Sequence, residues 1–127
     1  MYDLVALMPM RHNSARVIGK NYREFAGSNP LFFFMAEKLL KCGQINKVVI
    51  DTDSPIIKDL CKLNFPEILI IDRPKHLSDE SCPMNDILLH DIGEVPSKFY
   101  IQTHSTNPLL SLSTLNHALN VFKNNFP

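Results

Sequence analysis

From position 11 to position 21 the sequence reads Arg-His-Asn-Ser-Ala-Arg-Val-Ile-Gly-Lys-Asn, so Arg11, Arg16 and Lys20 crowd three cations into one short segment. The small and polar residues between them let such a segment fold tightly. Free main-chain N–H groups and cations could then converge on a polyphosphate. The segment is neither GxxxxGK[ST] nor GxGxxG, since Gly19 stands alone. Two readings stand side by side here, a phosphate seat and a solvated basic loop.

Other residues invite chemistry less strongly. Asp51 and Asp53 resemble a metal-binding DxD pair, yet Ser54-Pro55 behind them has the signature of a helix start. Helix capping and loop hydrogen bonding are the expected roles. His12 and His76 fall in polar loops and are expected to be exposed, with a phosphate contact as the alternative. His90 and His117 lie within predicted helices and are assigned no role. Phe32-Phe33-Phe34 is expected to pack in the core rather than stack on a base. Cys82, beside Ser81, has no histidine fixed nearby and reads as a passive thiol. Asp79-Glu80 reads as a solvated pair at a helix entry.

These residues need elements to position them. Leu4 to Met8 is a continuous apolar run ended by Pro9, the pattern of a strand buried on both faces. Arg11 to Pro30 has no apolar period and reads as a long loop. Helical spacing of Leu31, Phe34, Met35, Leu39 and Leu40, with a stop at Cys42-Gly43, predicts the first helix. Lys47 to Ile50 is a second strand, and a helix from Ser54-Pro55 to about Leu63 follows it. Ile68 to Ile71, a polar loop Asp72 to Pro83 and a helix from Met84 to about Ile92 come next. Phe99 to Gln102 is a fourth strand, a polar loop runs from Thr103 to Pro108, and a fourth helix spans about Ser113 to Lys123. Strands alternating with helices, without hairpin signals, predict an α/β fold. Its form is three-layer and Rossmann-like, a mainly parallel sheet with helices on both faces. Ligands in such sheets sit beyond the carboxyl ends of the strands, where the loops after the first, third and fourth strands are the longest and most polar.

The bulk composition narrows the partners. Thirteen basic residues balance thirteen acidic ones, so no net field would gather nucleic acid or an anionic membrane. Cys42, Cys61 and Cys82 are odd in number, widely spaced and form no CxxC. A disulfide framework or zinc site is therefore not expected, and a reducing cytoplasm fits. The apolar run Leu31 to Ala36 is far short of the ~20 residues that span a bilayer. One domain over 1–127 is the expected organisation.

The stretch from Arg11 to Asn21 resembles the N-terminal signature of sugar nucleotidyltransferases, and specifically of the acylneuraminate cytidylyltransferases. Arg11, Ser14, Lys20 and Asn21 match at the family's spacing. Ala15, followed by Arg16, stands at a commonly basic position, and Val17-Ile18-Gly19 stands where a proline often precedes the lysine. Three further blocks agree in order: Val48 to Ser54, Arg73-Pro74-Lys75-His76-Leu77-Ser78, and Ile101 to Leu110. Together they span nearly the whole chain, and their joint order is far more specific than any one of them.

What the resemblance implies is a nucleotide-diphospho-sugar transferase type of fold and a set of roles. Arg11 and Lys20 would hold the CTP phosphates and stabilise charge at the α-phosphate, and the chain around Asn13 and Ser14 would cradle them. Asn21 would contact ribose or phosphate, and Arg73 would lie against the cytosine. Gln102 would reach the sugar, with His104 as the alternative occupant of that position, because two extra residues separate Gln102 from Thr106-Asn107-Pro108. Glu80 is the counterpart of a family acid. The implied reaction is attack by the anomeric hydroxyl of a nonulosonic or related sugar acid on the CTP α-phosphate, with pyrophosphate leaving. Magnesium is the implied cofactor, its ligands lying in a later family segment outside this chain, and a homodimer is the implied assembly. The chain thus reads as a nucleotide-binding domain shortened relative to the family's. A non-catalytic nucleotide-binding module is one alternative. A 3-deoxy-octulosonate cytidylyltransferase is the other, disfavoured because that group usually has Lys-Pro where this chain has Lys20-Asn21.

Overall fold

The computed structural model describes residues 1–12, 22, 29–79, 81–104 and 111–125. Its first strand, β1, runs from Tyr2 to Met10. Alternate side chains enter two different cores: Leu4, Ala6, Met8 and Met10 join one cluster, Val5 and Leu7 the other. This is why the run is apolar without alternation. The strand continues past Pro9, which had been expected to end it. Leu7 turns its carbonyl toward the neighbouring strand, where the Thr103 N–H meets it at 2.9 Å. Pro9, two residues on, faces the same way beyond that strand's last residue, Gln102, so its missing N–H forfeits no ladder bond.

Helix α1 (Leu31–Lys41) returns the chain to β2 (Lys47–Thr52), and α2 (Pro55–Asn64) to β3 (Leu69–Asp72). A single 3-10 turn, Lys75–Leu77, interrupts the loop that follows, a segment expected to be irregular throughout. Its two i→i+3 bonds, Leu77 N–H to Pro74 O and Ser78 N–H to Lys75 O, leave no periodic trace in the sequence. Helix α3 (Met84–Glu94), β4 (Ser97–Gln102) and α4 (Leu112–Asn125) complete the order.

All strand pairs are parallel and the sheet order is β3-β2-β1-β4. The chain steps outward from β1 to β3, then crosses back to place β4 on the other side of β1. Helices α1, α2 and α4 supply Phe32, Phe33, Met35, Leu39, Ile57, Cys61, Leu115 and Leu119 to one face. On the other face Leu88 from the middle of α3 and Val95, which caps it, pack on Val5, Leu7, Val49 and Ile71. Phe32 and Phe33 are core residues, edge-on to each other at 4.9 Å, with Phe33 edge-on to Phe65 at 4.9 Å. Among the described residues, no helix is long and apolar enough to cross a membrane.

Candidate functional site

The reversal of strand order falls between β1 and β4, and the carboxyl ends of the strands there carry the polar residues of interest. Arg11 and His12 follow β1 directly and both are half-buried. The His12 N–H donates to Asp53 Oδ1 at 2.8 Å, and its Nδ1 lies 2.7 Å from the Ser54 hydroxyl. Its ring also stacks on Tyr22, with centroids 4.7 Å apart and planes 18° from parallel. Ser54 is fully buried and caps α2, its oxygen accepting the Ile57 N–H at 3.2 Å. The expected cap is therefore Ser54 itself, and Asp53 serves the expected loop bond. His12 is a fixed residue rather than a solvated one.

The loop after β3 approaches from the same edge. Asp79 accepts from both the N–H and the hydroxyl of Ser81, at 2.9 and 3.1 Å. These two bonds hold its carboxyl below the ordinary aspartate range, and the charge of Arg11 adds in the same direction. The charge of Arg11, at the end of β1, thus reaches the loop after β3.

Asp51 departs from the sequence expectation. It is 1% exposed, and instead of capping or serving a loop it accepts from Arg73 Nε at 2.8 Å. Arg73 Nη2 reaches the Asp51 carbonyl at 3.3 Å. The guanidinium expected to lie against the base is accordingly turned inward, with its side chain 1% exposed. Against this pair packs Asp91 from α3, fully buried. Burial, then the hydrogen bond and the charge of Asp51, push its carboxyl up to about 9, although Arg73 pulls the other way; Glu94 adds to the rise. Asp91 therefore keeps its proton at neutral pH and shares it with the Asp51 carboxylate. That proton joins Asp51 Oδ2 to one Asp91 oxygen, two of the three buried carboxyl oxygens that have no other partner, and leaves the second Asp91 oxygen unmatched.

Asp51, His90 and Asp91 bring one ligand atom each to within 4.8 Å of one another. The set does not fit magnesium, which needs ionised, accessible oxygens in open octahedral geometry. Here one carboxylate is committed to Arg73 and the other carries a proton. No step is therefore routed through a metal held by these residues.

Gln102 and His104 are exposed at the end of β4, while Thr103 is buried and closes the ladder on Leu7. Gln102 is registered with Leu7 and so lies on the α3 side of the sheet, the side of Asp51. Asn13, Ser14, Lys20, Asn21 and Glu80 lie outside the described residues. His76 is exposed, as expected of it. The Cys82 thiol is half-buried, and that of Cys61 is buried and pushed up to about 11 by desolvation, an inert packing group. Sequence reasoning missed Asp91. Its signal is an acid on the apolar stripe Ile87, Leu88, Asp91, Val95.

A parallel, order-reversing sheet with polar loops gathered at its carboxyl edge defines a Rossmann-like α/β protein. Residues 5–127 match the family model described as cytidylyltransferase, and the chain belongs to that family. No curated protein shows a significant match. Solved structures of like fold include CMP:2-keto-3-deoxy-manno-octonic acid synthetase complexed with CTP, 20% identical with a TM-score of 0.81, covering 97% of this chain and 48% of that one. A cytidylyltransferase from Leptospira borgpetersenii serovar Hardjo-bovis is 18% identical with a TM-score of 0.76, over 98% of this chain and 50% of that one. A 4-diphosphocytidyl-2C-methyl-D-erythritol synthase is 13% identical with a TM-score of 0.69, over 98% and 56%. The chain spans about half the length of these structures.

Proposed function

We propose that this chain is the CTP-binding half of a cytidylyltransferase of the acylneuraminate type. The whole enzyme would transfer CMP from CTP to the anomeric hydroxyl of a nonulosonic or related sugar acid and release pyrophosphate. The observation that carries this reading is Arg11, half-buried directly after the carboxyl end of β1, with its charge felt at Asp79 in the loop after β3. The family membership of residues 5–127 supplies the chemistry. The choice of an acylneuraminate-like acid rests on the four ordered motif blocks from Arg11 to Leu110.

In this reading Arg11 and Lys20 hold the phosphates, the main chain around Asn13 and Ser14 cradles them, and Asn21 contacts ribose or phosphate. Gln102 or His104 reaches toward the acidic sugar from the end of β4. Arg73 acts through structure: by gripping Asp51 it fixes the start of the β3 loop that borders the base. Phosphoryl-transfer catalysis of this kind depends on positioning and on charge placed where charge develops, so cations and no covalent nucleophile are required of this half. Magnesium and a second copy of the chain belong to the proposed whole enzyme.

Calorimetric titration with CTP tests the reading. Arg11→Ala should weaken binding by about 1.5–3 kcal/mol, the scale of a charge-assisted hydrogen bond. ATP and GTP should bind more weakly than CTP. Unchanged CTP affinity in the variant would remove Arg11 from the phosphate site.

A further inference from the structure

Between α3 and the sheet the apolar core is small: Val5, Leu7, Val49, Ile71 and Val95, with Leu88 and Tyr100 against them. Asp51 lies two residues beyond Val49 and is registered with Ile71, so it turns to this same face. There it meets Arg73 and Asp91, and none of the three side chains is more than 1% exposed. A buried ion pair is worth little net against apolar residues of similar volume. This one also leaves Arg73 Nη1 and one Asp91 oxygen unmatched, so stability does not account for the cluster. Its place in the fold does. Arg73 is the first residue after β3 and is tied twice to the end of β2, its N–H to the Thr52 carbonyl at 3.1 Å and its Nε to Asp51 at 2.8 Å. From Arg73 the chain passes through the 3-10 turn Lys75–Leu77, with Leu77 buried, to Asp79, where the charge of Arg11 is felt. Asp91 reaches Asp51 from the last turn of α3, an element that otherwise has no part in the site.

Resting on the nucleotide reading above, we propose that Asp91 is a positioning residue of the CTP site: its hydrogen bond to Asp51 holds the Asp51–Arg73 pair in one arrangement, and with it the loop from Arg73 to Asp79. Asp91 touches no substrate. It acts only while it can donate, since a second carboxylate would repel that of Asp51 and compete with it for Arg73. CTP affinity therefore depends on a proton buried beneath the site, held below about pH 9 and lost above it. Among the described residues, the charged or titratable groups facing Asp91 are Asp51 from β2, Arg73 after β3, and His90 and Glu94 on its own helix. From β1 come only Val5 and Leu7, and Tyr100 of β4 gives its hydroxyl to the Val95 carbonyl at 2.6 Å.

CTP affinity and melting temperature of the full chain, measured from about pH 7.5 to 9.5 for wild type, Asp91→Asn and Asp91→Val, test the assignment. At the lower end Asp91→Asn, which keeps a donor toward Asp51, should bind like wild type. Asp91→Val, which fills the space without a donor, should bind about three- to tenfold more weakly, the scale of one hydrogen bond. By about pH 9.5 wild type should have lost about fourfold in affinity relative to Asp91→Asn, following the fraction of a carboxyl titrating near 9 that still holds its proton. Taking this ratio cancels the other titrating groups of the chain and of CTP. A merely structural Asp91 would lower the melting temperature of Asp91→Val and leave both the affinity of the folded protein and the pH ratio unchanged, overturning the proposal. In that case Arg11→Ala would still weaken binding, and the nucleotide reading would stand. Absence of CTP binding by wild type would overturn both. Should Asp91→Val fail to fold, the ratio of wild type to Asp91→Asn across pH decides alone.

Discussion

Two buried acids and one arginine set the character of the site's floor. Asp91 is surrounded by Asp51 from β2, Arg73 after β3, and His90 and Glu94 from its own helix. In the unfolded chain its carboxyl titrates in the ordinary carboxylate range; in the folded chain it titrates near 9. Between those values the folded state holds a proton that the unfolded state has released. Stability contributed by Asp91 is therefore fully present at low pH, falls as pH rises through that window, and levels off above it. Asp91→Asn keeps a donor toward Asp51 and removes the titration. Melting temperatures followed from about pH 5 to 10 should slope downward more steeply in wild type than in the variant; identical slopes would show that Asp91 is not the proton carrier. None of this pairing was legible beforehand. Asp51 was visible as a strand-end acid and Asp91 received no reading at all, because only the crossover from β3 to β4 through α3 brings positions 51 and 91 together.

The elements themselves were largely written in local pattern. The apolar run at Leu4 to Met8 predicted a strand buried on both sides, and Ser54-Pro55 predicted the start of α2 to the residue, because a buried hydroxyl cap and a proline at N1 leave local marks. The extension of β1 through Pro9 was not legible. It depends on how far β4 reaches, which is a property of the neighbour and not of β1. Ser54 links helix and site, since one hydroxyl serves both the Ile57 N–H and His12. Ser54→Ala should cost about 0.5–2 kcal/mol by loss of the cap, read from the urea unfolding midpoint. An unchanged midpoint would show that this hydroxyl, and with it both the cap and its contact to His12, is dispensable.

At the scale of the whole molecule, alternation of strands and helices predicted a parallel sheet but not its order. The order β3-β2-β1-β4 arises because the third crossover returns across the opposite face, and that return is what sets the end of β4 beside the end of β1. The other end of the sheet offers a competing concavity of about 520 Å³, lined by Asp3, Asn46, Lys98, Phe99 and Phe122 among others. The central claim is therefore one of location: CTP sits beyond the carboxyl ends of the strands. Amide chemical shifts recorded by NMR during a CTP titration test it most directly. The account predicts perturbations concentrated at Arg11, His12, Asp53, Ser54 and the loop around Asp79, with Asp3, Asn46 and Lys98 silent. Perturbations confined to those last three residues and their surroundings would contradict it.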